Sequence, residues 1–391
     1  MNIYEEVRQQ RDHLVALRRE IHSHPELGWQ ETHTQALICR ELDELEIPYE
    51  KVCGTGVIAT IHGGAEKPVI AFRADMDALP ITEKSTCEYA SQNPGIMHAC
   101  GHDCHVAWLL MTARVLKAHA AELKCTVKLI FQPAEECIEG ARAMYQLPQL
   151  DDVEHIFGAH AWIELPVGAF SVETGPRMAS ADNIYLTIRG KSAHGAQPQD
   201  SIDAIVAACG VVQALQTVVS RNNDPRQPFV VTIGTISGGT SSNIIANEVK
   251  LSGTVRSFDP AVRDRMEKRL EEVSKAAAAV YGAECEFTYR RCTPAMISCS
   301  AETELMRRAV SQVFGQEALQ GLEKSTGGED FAWFLERIPG SYVRVGARNE
   351  AAGKCWPHHH ECFDVDEEAL VNGAAVFCQT ALLFGQERSG L

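Results

Sequence analysis

The sequence predicts an α/β protein with a smaller α+β domain inserted into it. In the first half, short β-branched or aromatic runs alternate with helical patterns, the mark of a layered α/β architecture. After residue 181 the order becomes strand, helix, strand, strand, helix, strand. Beyond residue 291 a helix and a strand follow, as expected if the first domain resumes. A chain of 391 residues also exceeds one ordinary core, at about 150 residues per domain.

Glu5 to His22 places Val7, Leu14, Leu17 and Ile21 on one side, predicting an amphipathic helix. Thr32 to Leu45 predicts a second helix, ending before Pro48. Gly56–Ile61, Val69–Phe72, Thr126–Phe131 and His155–His160 are short apolar runs bounded by Gly, Pro or acidic residues, and predict strands. Between the second and third lies Cys104–Ala118, rich in Ala and Leu, a buried helix. Asn183–Arg189, Phe229–Ser237, Ile244–Phe258 and Glu284–Tyr289 predict strands, with helices at Ser201–Ser220 and Asp259–Val280. This is the split βαβ, ferredoxin-like order. Ala301–Phe314 predicts a helix and Ser341–Gly346 a strand. The expected domains are 1–181 with 292–391, and 182–291 between them.

Composition narrows the function. Hydrophobic residues make up 45% and charged residues 23%, fitting a globular protein. A formal net charge of −16 argues against nucleic-acid and anionic-membrane partners, both of which need basic surface. No signal-like apolar core stands near Met1–Glu20, and no run approaches the roughly eighteen apolar residues that span a bilayer. The fourteen cysteines lack framework spacing. Most are expected to be reduced, buried thiols in a cytoplasmic protein.

A candidate metal site emerges from three places. Residues 97–105 read M-H-A-C-G-H-D-C-H. In an extended segment Cys100 and His102 point to the same side, and Gly101 between them permits close backbone approach. Thiolate and imidazole are donors that zinc favours, with a buried thiol beside a satisfied histidine as the alternative. After strand Thr126–Phe131 comes Gln132-Pro133-Ala134-Glu135-Glu136. Adjacent carboxylates there project differently, so one can bind a metal while its neighbour takes a proton from the attacking water. The alternative is a solvated acidic pair opening a helix over Glu136–Met144. His160 stands at the expected end of a third strand, and open α/β sheets bind ligands beyond the carboxyl ends of their strands. Pro357-His358-His359-His360 follows the last strand, with a helical pattern after it.

Taken together, F-R-A-D-M-D-A-L-P (72–80), M-H-A-C-G-H-D-x-H (97–105) and F-Q-P-A-E-E (131–136) resemble the metallo-amidohydrolases. That family includes hippurate hydrolases, N-acyl-amino-acid amidohydrolases and indoleacetyl-amino-acid hydrolases. G-x-H-x-W (158–162), G-x-x-x-H (190–194), N-I-I (243–245), G-T-V-R (253–256) and G-E-D-F (328–331) extend the likeness along nearly the whole chain. The resemblance implies a zinc-peptidase-like α/β catalytic domain and a ferredoxin-like lid that dimerises. It implies two divalent metal ions per subunit, with zinc or manganese foremost and cobalt or nickel also compatible. Cys100 is the shared ligand by this likeness, with His102, Glu136, His160 and a C-terminal histidine as the others. The family pattern H-x-P-x-F falls on His359 to Phe363 with Glu361 in place of proline, which selects His359 ahead of His358. Glu135 takes the role of general base and His194 that of oxyanion support, while Asn243 and Arg256 meet a substrate carboxylate. Asp75 and Asp77 stand as supports behind the metals, Asp77 alternatively as a turn cap.

The expected activity is hydrolysis of a small-molecule N-acyl amino acid by a homodimer or larger homo-oligomer. An exopeptidase on dipeptides shares this core. A cysteine hydrolase with Cys100 as nucleophile leaves Glu135, Glu136 and His160 without a role. A purely structural metal site is normally closed by four ligands with no adjacent base.

Overall fold

The computed structural model describes residues 2–387. The chain divides into two compact units, Met1–Gly175 with Ile297–Glu323 and Asp330–Leu391, and Pro176–Met296 with Lys324–Glu329.

The first unit begins with Ile3–Gln9 (α1) and Arg11–Ser23 (α2), so the single helix expected over Glu5–His22 is broken at Gln10. Asn2 caps α1 by accepting the Glu5 N–H. Thr32–Glu44 (α3) leads into Tyr49–Val52 (β1), Gly56–Ile61 (β2) and Val69–Asp75 (β3). Next come His102–Ala118 (α4), Thr126–Gln132 (β4), Gly140–Met144 (α5), His155–Pro166 (β5) and Phe170–Val172 (β6). The chain leaves this unit at Gly175–Met178 (β7).

The second unit holds Ser180–Arg189 (β8), Ala204–Thr217 (α6), Phe229–Gly238 (β9), Glu248–Ser257 (β10), Pro260–Val280 (α7) and Glu284–Thr293 (β11). The chain returns through Met296–Ser298 (β12) to Ser300–Phe314 (α8), Ala332–Leu335 (α9), Gly340–Arg348 (β13) and Glu368–Glu387 (α10).

The sheet of the first unit has seven strands in the order β1-β2-β4-β3-β5-β13-β6. Its centre is parallel: β4 with β3, β3 with β5, and β5 with β13. Parallel strands are buried on both faces, and β3 and β4 are buried at every residue. Trp108 of α4 is fully buried and packs so closely on α10 that a Cβ at Gly373 would meet its ring at 2.2 Å. The second unit is an antiparallel sheet in the order β11-β8-β10-β9, with α6 and α7 contributing to its core. This is the expected ferredoxin-like arrangement, and the mixed α/β class holds for the chain.

Two sequence expectations need correction. Glu368–Gly385 and Ala204–Asn222 are long and apolar enough to meet a membrane-span criterion, because a few charged residues do not disqualify a helix. The first is mostly buried inside the structure, whereas only a third of the second is. The cysteines are all free, but only Cys39, Cys100, Cys104, Cys125 and Cys378 of the fourteen are buried. Strand alternation, loop positions and, for Cys209, the outer side of α6 leave the others at least partly open.

Candidate active site

Beyond the parallel centre of the first sheet, the backbone is pinned before any side chain is placed. β4 ends at Gln132, and Ala134 follows at φ 53, a left-handed conformation that interrupts regular structure. The Ala134 N–H donates to Glu31 Oε1 at 2.8 Å. The Asp77 carboxylate then accepts the N–H groups of Glu135 and Glu136 at 3.0 and 2.9 Å. Asp77 thus caps the turn that presents both glutamates. The helix over Glu136–Met144 that the alternative reading invokes begins only at Gly140, because Ala134 and Ile138 are both left-handed.

Cys100 and His102 do not lie on an extended segment. Gly101 adopts φ 96 and caps α4, of which His102 is the first residue. Any Cβ at Gly101 would also sit 3.2 Å from the Ala161 Cβ. His160 likewise does not end its strand, since β5 continues to Pro166. Pairing of β5 with β3 stops at Gly158, however, so His160 lies where β5 outruns its neighbour.

His102 Nδ1 is 2.9 Å from the Asp77 carbonyl oxygen, and His160 Nδ1 is 2.7 Å from that of Ala161. A carbonyl only accepts, so each Nδ1 carries the proton. Burial holds His160 well below its usual value, which leaves its Nε2 a bare lone pair. Burial of His102 is outweighed by Asp75 and Cys100, which raise it well above its usual value. His160 Nε2 lies 3.4 Å from Cys100 Sγ. Among the described residues, His102 Nε2 and Glu136 Oε1 are buried without a hydrogen-bond partner. His359, at φ 64, donates its N–H to Ala99 O at 2.7 Å and sets Nε2 3.5 Å from Glu136 Oε1.

Besides a group of His102, Glu135 and Glu136, the donor atoms include two triads, Cys100 with His102 and His160, and Cys100 with Glu136 and His359, each within 4.8 Å. Cys100 belongs to both. Burial pushes the Glu136 carboxyl up to about 7 and, with Glu136 beside it, raises the Cys100 thiol well above its usual value. A cation would relieve both, and the orphaned Nε2 and Oε1 atoms are ready donors, so the residues fit a divalent metal.

Two other histidines are sorted out by their partners. His105 Nδ1 bonds Asp75, while its Nε2 accepts the Ala161 N–H at 2.9 Å, leaving no free nitrogen. His358 Nε2 lies 2.9 Å from the Ala161 carbonyl, and its ring packs against Trp162 and Phe363. Glu135 keeps one oxygen 4.0 Å from His102 Nε2 and the other 3.4 Å from the Asp330 N–H.

In the second unit His194 is exposed and bridges to Ile244, and the Gly195 N–H donates to Asn243 O at 2.8 Å. His194 and Asn243 are therefore neighbours. Arg256 sits on β10 with Nη1 buried and without a partner among the described residues. The carboxylate near it, Asp182, is engaged by Arg263 through both oxygens.

The model of "Peptidase family M20/M25/M40" matches residues 71–383. The chain belongs to that family. It is a hydrolase, and its relatives place it among enzymes that cleave amide bonds. N-acetylcysteine deacetylase of Bacillus subtilis (strain 168) is 41% identical over 375 residues, covering 95% of this chain and 96% of the relative. Thermostable carboxypeptidase 1 of Saccharolobus solfataricus is 35% identical over 387 residues, covering 98% of each. The Bacillus subtilis YXEP protein, described as a dinuclear metal-binding peptidase of the M20 family, superposes with a TM-score of 0.87 at 38% identity. That likeness covers 97% of this chain and 99% of the YXEP chain.

Some residues of this M20-family site carried no role in the sequence reading. Arg73 is fully buried and donates to Asp75, Gln132 and Asp330 at 2.6, 2.8 and 2.8 Å. It ties the ends of β3 and β4 to the loop before α9. The signal was present, since Arg73 and Asp330 lie inside the F-R-A-D and G-E-D-F motifs, but spacing alone does not show that they meet.

Proposed function

We propose that this M20-family hydrolase cleaves N-acyl amino acids to a carboxylic acid and a free amino acid. The observation that carries the reading is the pair of donor triads sharing Cys100, with Glu135 beside them. Cys100, His102, Glu136, His160 and His359 would hold two divalent metal ions. When bound, such ions polarise the scissile carbonyl and acidify water.

Glu135 takes the proton from the attacking water and delivers it to the leaving nitrogen, so water adds across the broken C–N bond and the atoms balance. Asp77 keeps Glu135 and Glu136 in fixed relation by holding both backbone N–H groups. In the second unit, which serves as a lid, His194 supports the oxyanion. Asn243 and Arg256 receive the substrate carboxylate, and the unengaged Arg256 Nη1 supports that role. The same unit pairs with a second copy along β9, an edge strand with Val230 and Ile236 exposed.

The test is an activity screen after reconstitution with zinc, manganese, cobalt or nickel. It compares N-acetyl, N-benzoyl and longer-acyl amino acids with dipeptides. Highest kcat/KM on N-acyl amino acids supports the reading. A preference for dipeptides favours an exopeptidase, the alternative to which the carboxypeptidase relative points. Sedimentation of the full chain checks the dimer.

A further inference from the structure

The stretch from Arg18 to Glu31 precedes the residues that the family model matches, 71–383. It nevertheless braces the segments that carry the candidate ligands. Arg18 is fully buried. Its Nε donates to Asp103 Oδ2 at 2.7 Å, and its Nη2 donates to Asp364 Oδ1 at 2.8 Å.

The two carboxylates belong to different parts of the candidate centre. Asp103 directly follows His102, a member of one donor triad. Asp364 lies on the loop that presents His359, a member of the other. One guanidinium therefore links the segments that carry the two triads. Further along the same stretch, the Glu26 carbonyl accepts the Ala78 N–H at 2.8 Å, next to Asp77. Glu31 accepts the Ala134 N–H at 2.8 Å, next to Glu135.

Stability alone gives a weak reason for burying such a group. Removing a guanidinium and two carboxylates from water is costly, and apolar replacements of buried ion pairs are often as stable. What an apolar cluster cannot supply is direction. The planar fork fixes the angle and spacing of two carboxylates at once.

We propose that Arg18 is a positioning residue that sets the spacing between the two donor triads through Asp103 and Asp364. The inference rests on the metal-centre reading given above. It assigns the N-terminal helix α2 a part in metal binding that its distance in sequence from every ligand conceals.

The test compares the full-length wild type with Arg18→Lys and with the triple variant Arg18→Met, Asp103→Asn, Asp364→Asn. The triple variant removes the guanidinium together with both carboxylates, which leaves Lys354 without Asp364 and His22 without Asp103, and the lysine variant keeps the charge but not the fork. Affinity for zinc and for manganese is measured by competition with a chromophoric chelator, and folding by the thermal midpoint of the chelator-treated protein. Both variants are expected to fold, the triple variant with a lowered thermal midpoint, and to bind metal more weakly, by about tenfold or more in the triple variant. Their kcat should fall with KM little changed. An Arg263→Met, Asp182→Asn variant removes a buried ion pair of the second unit and should leave metal affinity unaltered.

If the triple variant does not fold, Arg18→Lys decides. Wild-type metal affinity in a folded Arg18 variant overturns the proposal, as does an equal loss in the Arg263 control. A wild type that takes up no metal overturns the metal-centre reading itself, and that outcome is distinct from the other two.

Discussion

His160 Nε2 lies 3.4 Å from Cys100 Sγ, with the other ring nitrogen fixed by the Ala161 carbonyl at 2.7 Å. The imidazole therefore presents a lone pair, not a proton, toward the sulfur. That is the tautomer a metal ligand needs, and it is set by the backbone alone.

Because Cys100 is common to both donor triads, its removal affects two ions while the loss of a single-triad residue affects one. Metal content after dialysis should fall from about two equivalents to near zero in Cys100→Ala. In His359→Ala, about one equivalent should remain. Elemental analysis of the folded variants distinguishes these results, and equal retention in both would remove Cys100 from the shared position.

Glu135→Gln keeps the shape and the backbone bond to Asp77 but cannot take up a proton. Metal content should match the wild type, while kcat falls by about 10²–10⁴-fold. Steady-state kinetics on an N-acyl amino acid reads the effect. Substantial surviving turnover would transfer the role of base elsewhere.

Metal uptake should release protons. Burial holds the Glu136 carboxyl at about 7 and, with Glu136, keeps the Cys100 thiol raised, so both tend to be protonated near neutral pH. A metal takes only the deprotonated donors. Apparent affinity should therefore rise with pH and fall away below about 7 as Glu136 gains its proton. Calorimetry in buffers of different ionisation enthalpy counts the protons; a count of zero contradicts the expectation.

Asp364 contributes to acid stability. Burial opposes its charge, but Arg18 and Lys354 outweigh that and hold its carboxyl at about 2, below the ordinary 3.8. A depressed folded value means that the contribution is complete above pH 3.8 and is lost as pH falls toward 2. The amount is of the order of 2 kcal/mol. Acid unfolding of Asp364→Asn should show a shallower dependence across that window than the wild type, as followed by circular dichroism.

Much of the fold was legible because burial leaves a periodic trace. β2 runs over Gly56–Ile61 as its apolar pattern indicates, and β4 and β8 differ from expectation only at their ends. The site was less legible where the backbone leaves regular structure. Gly101, Ala134 and Ile138 are left-handed and redirect segments that the pattern alone would extend as a strand or helix, and the left-handed His359 turns a run to which the pattern gives no element. The second histidine of the H-D-C-H run looks as able to bind metal as the first. Only its two partners, Asp75 and the Ala161 N–H, exclude it.

The sequence by itself determined the chemistry at hand: one thiol, several imidazoles and a pair of carboxylates placed near expected strand ends, in motifs that resemble a hydrolase family. The tertiary structure decided which atoms meet. It brought two donor triads together at Cys100, turned His358 to the Ala161 carbonyl and His359 to Glu136, and bonded Arg18 to both Asp103 and Asp364. These outcomes depend on hydrogen bonds between residues as far apart as Arg18 and Asp364. Sequence spacing records no such distance, because the fold, not the chain order, brings those groups together.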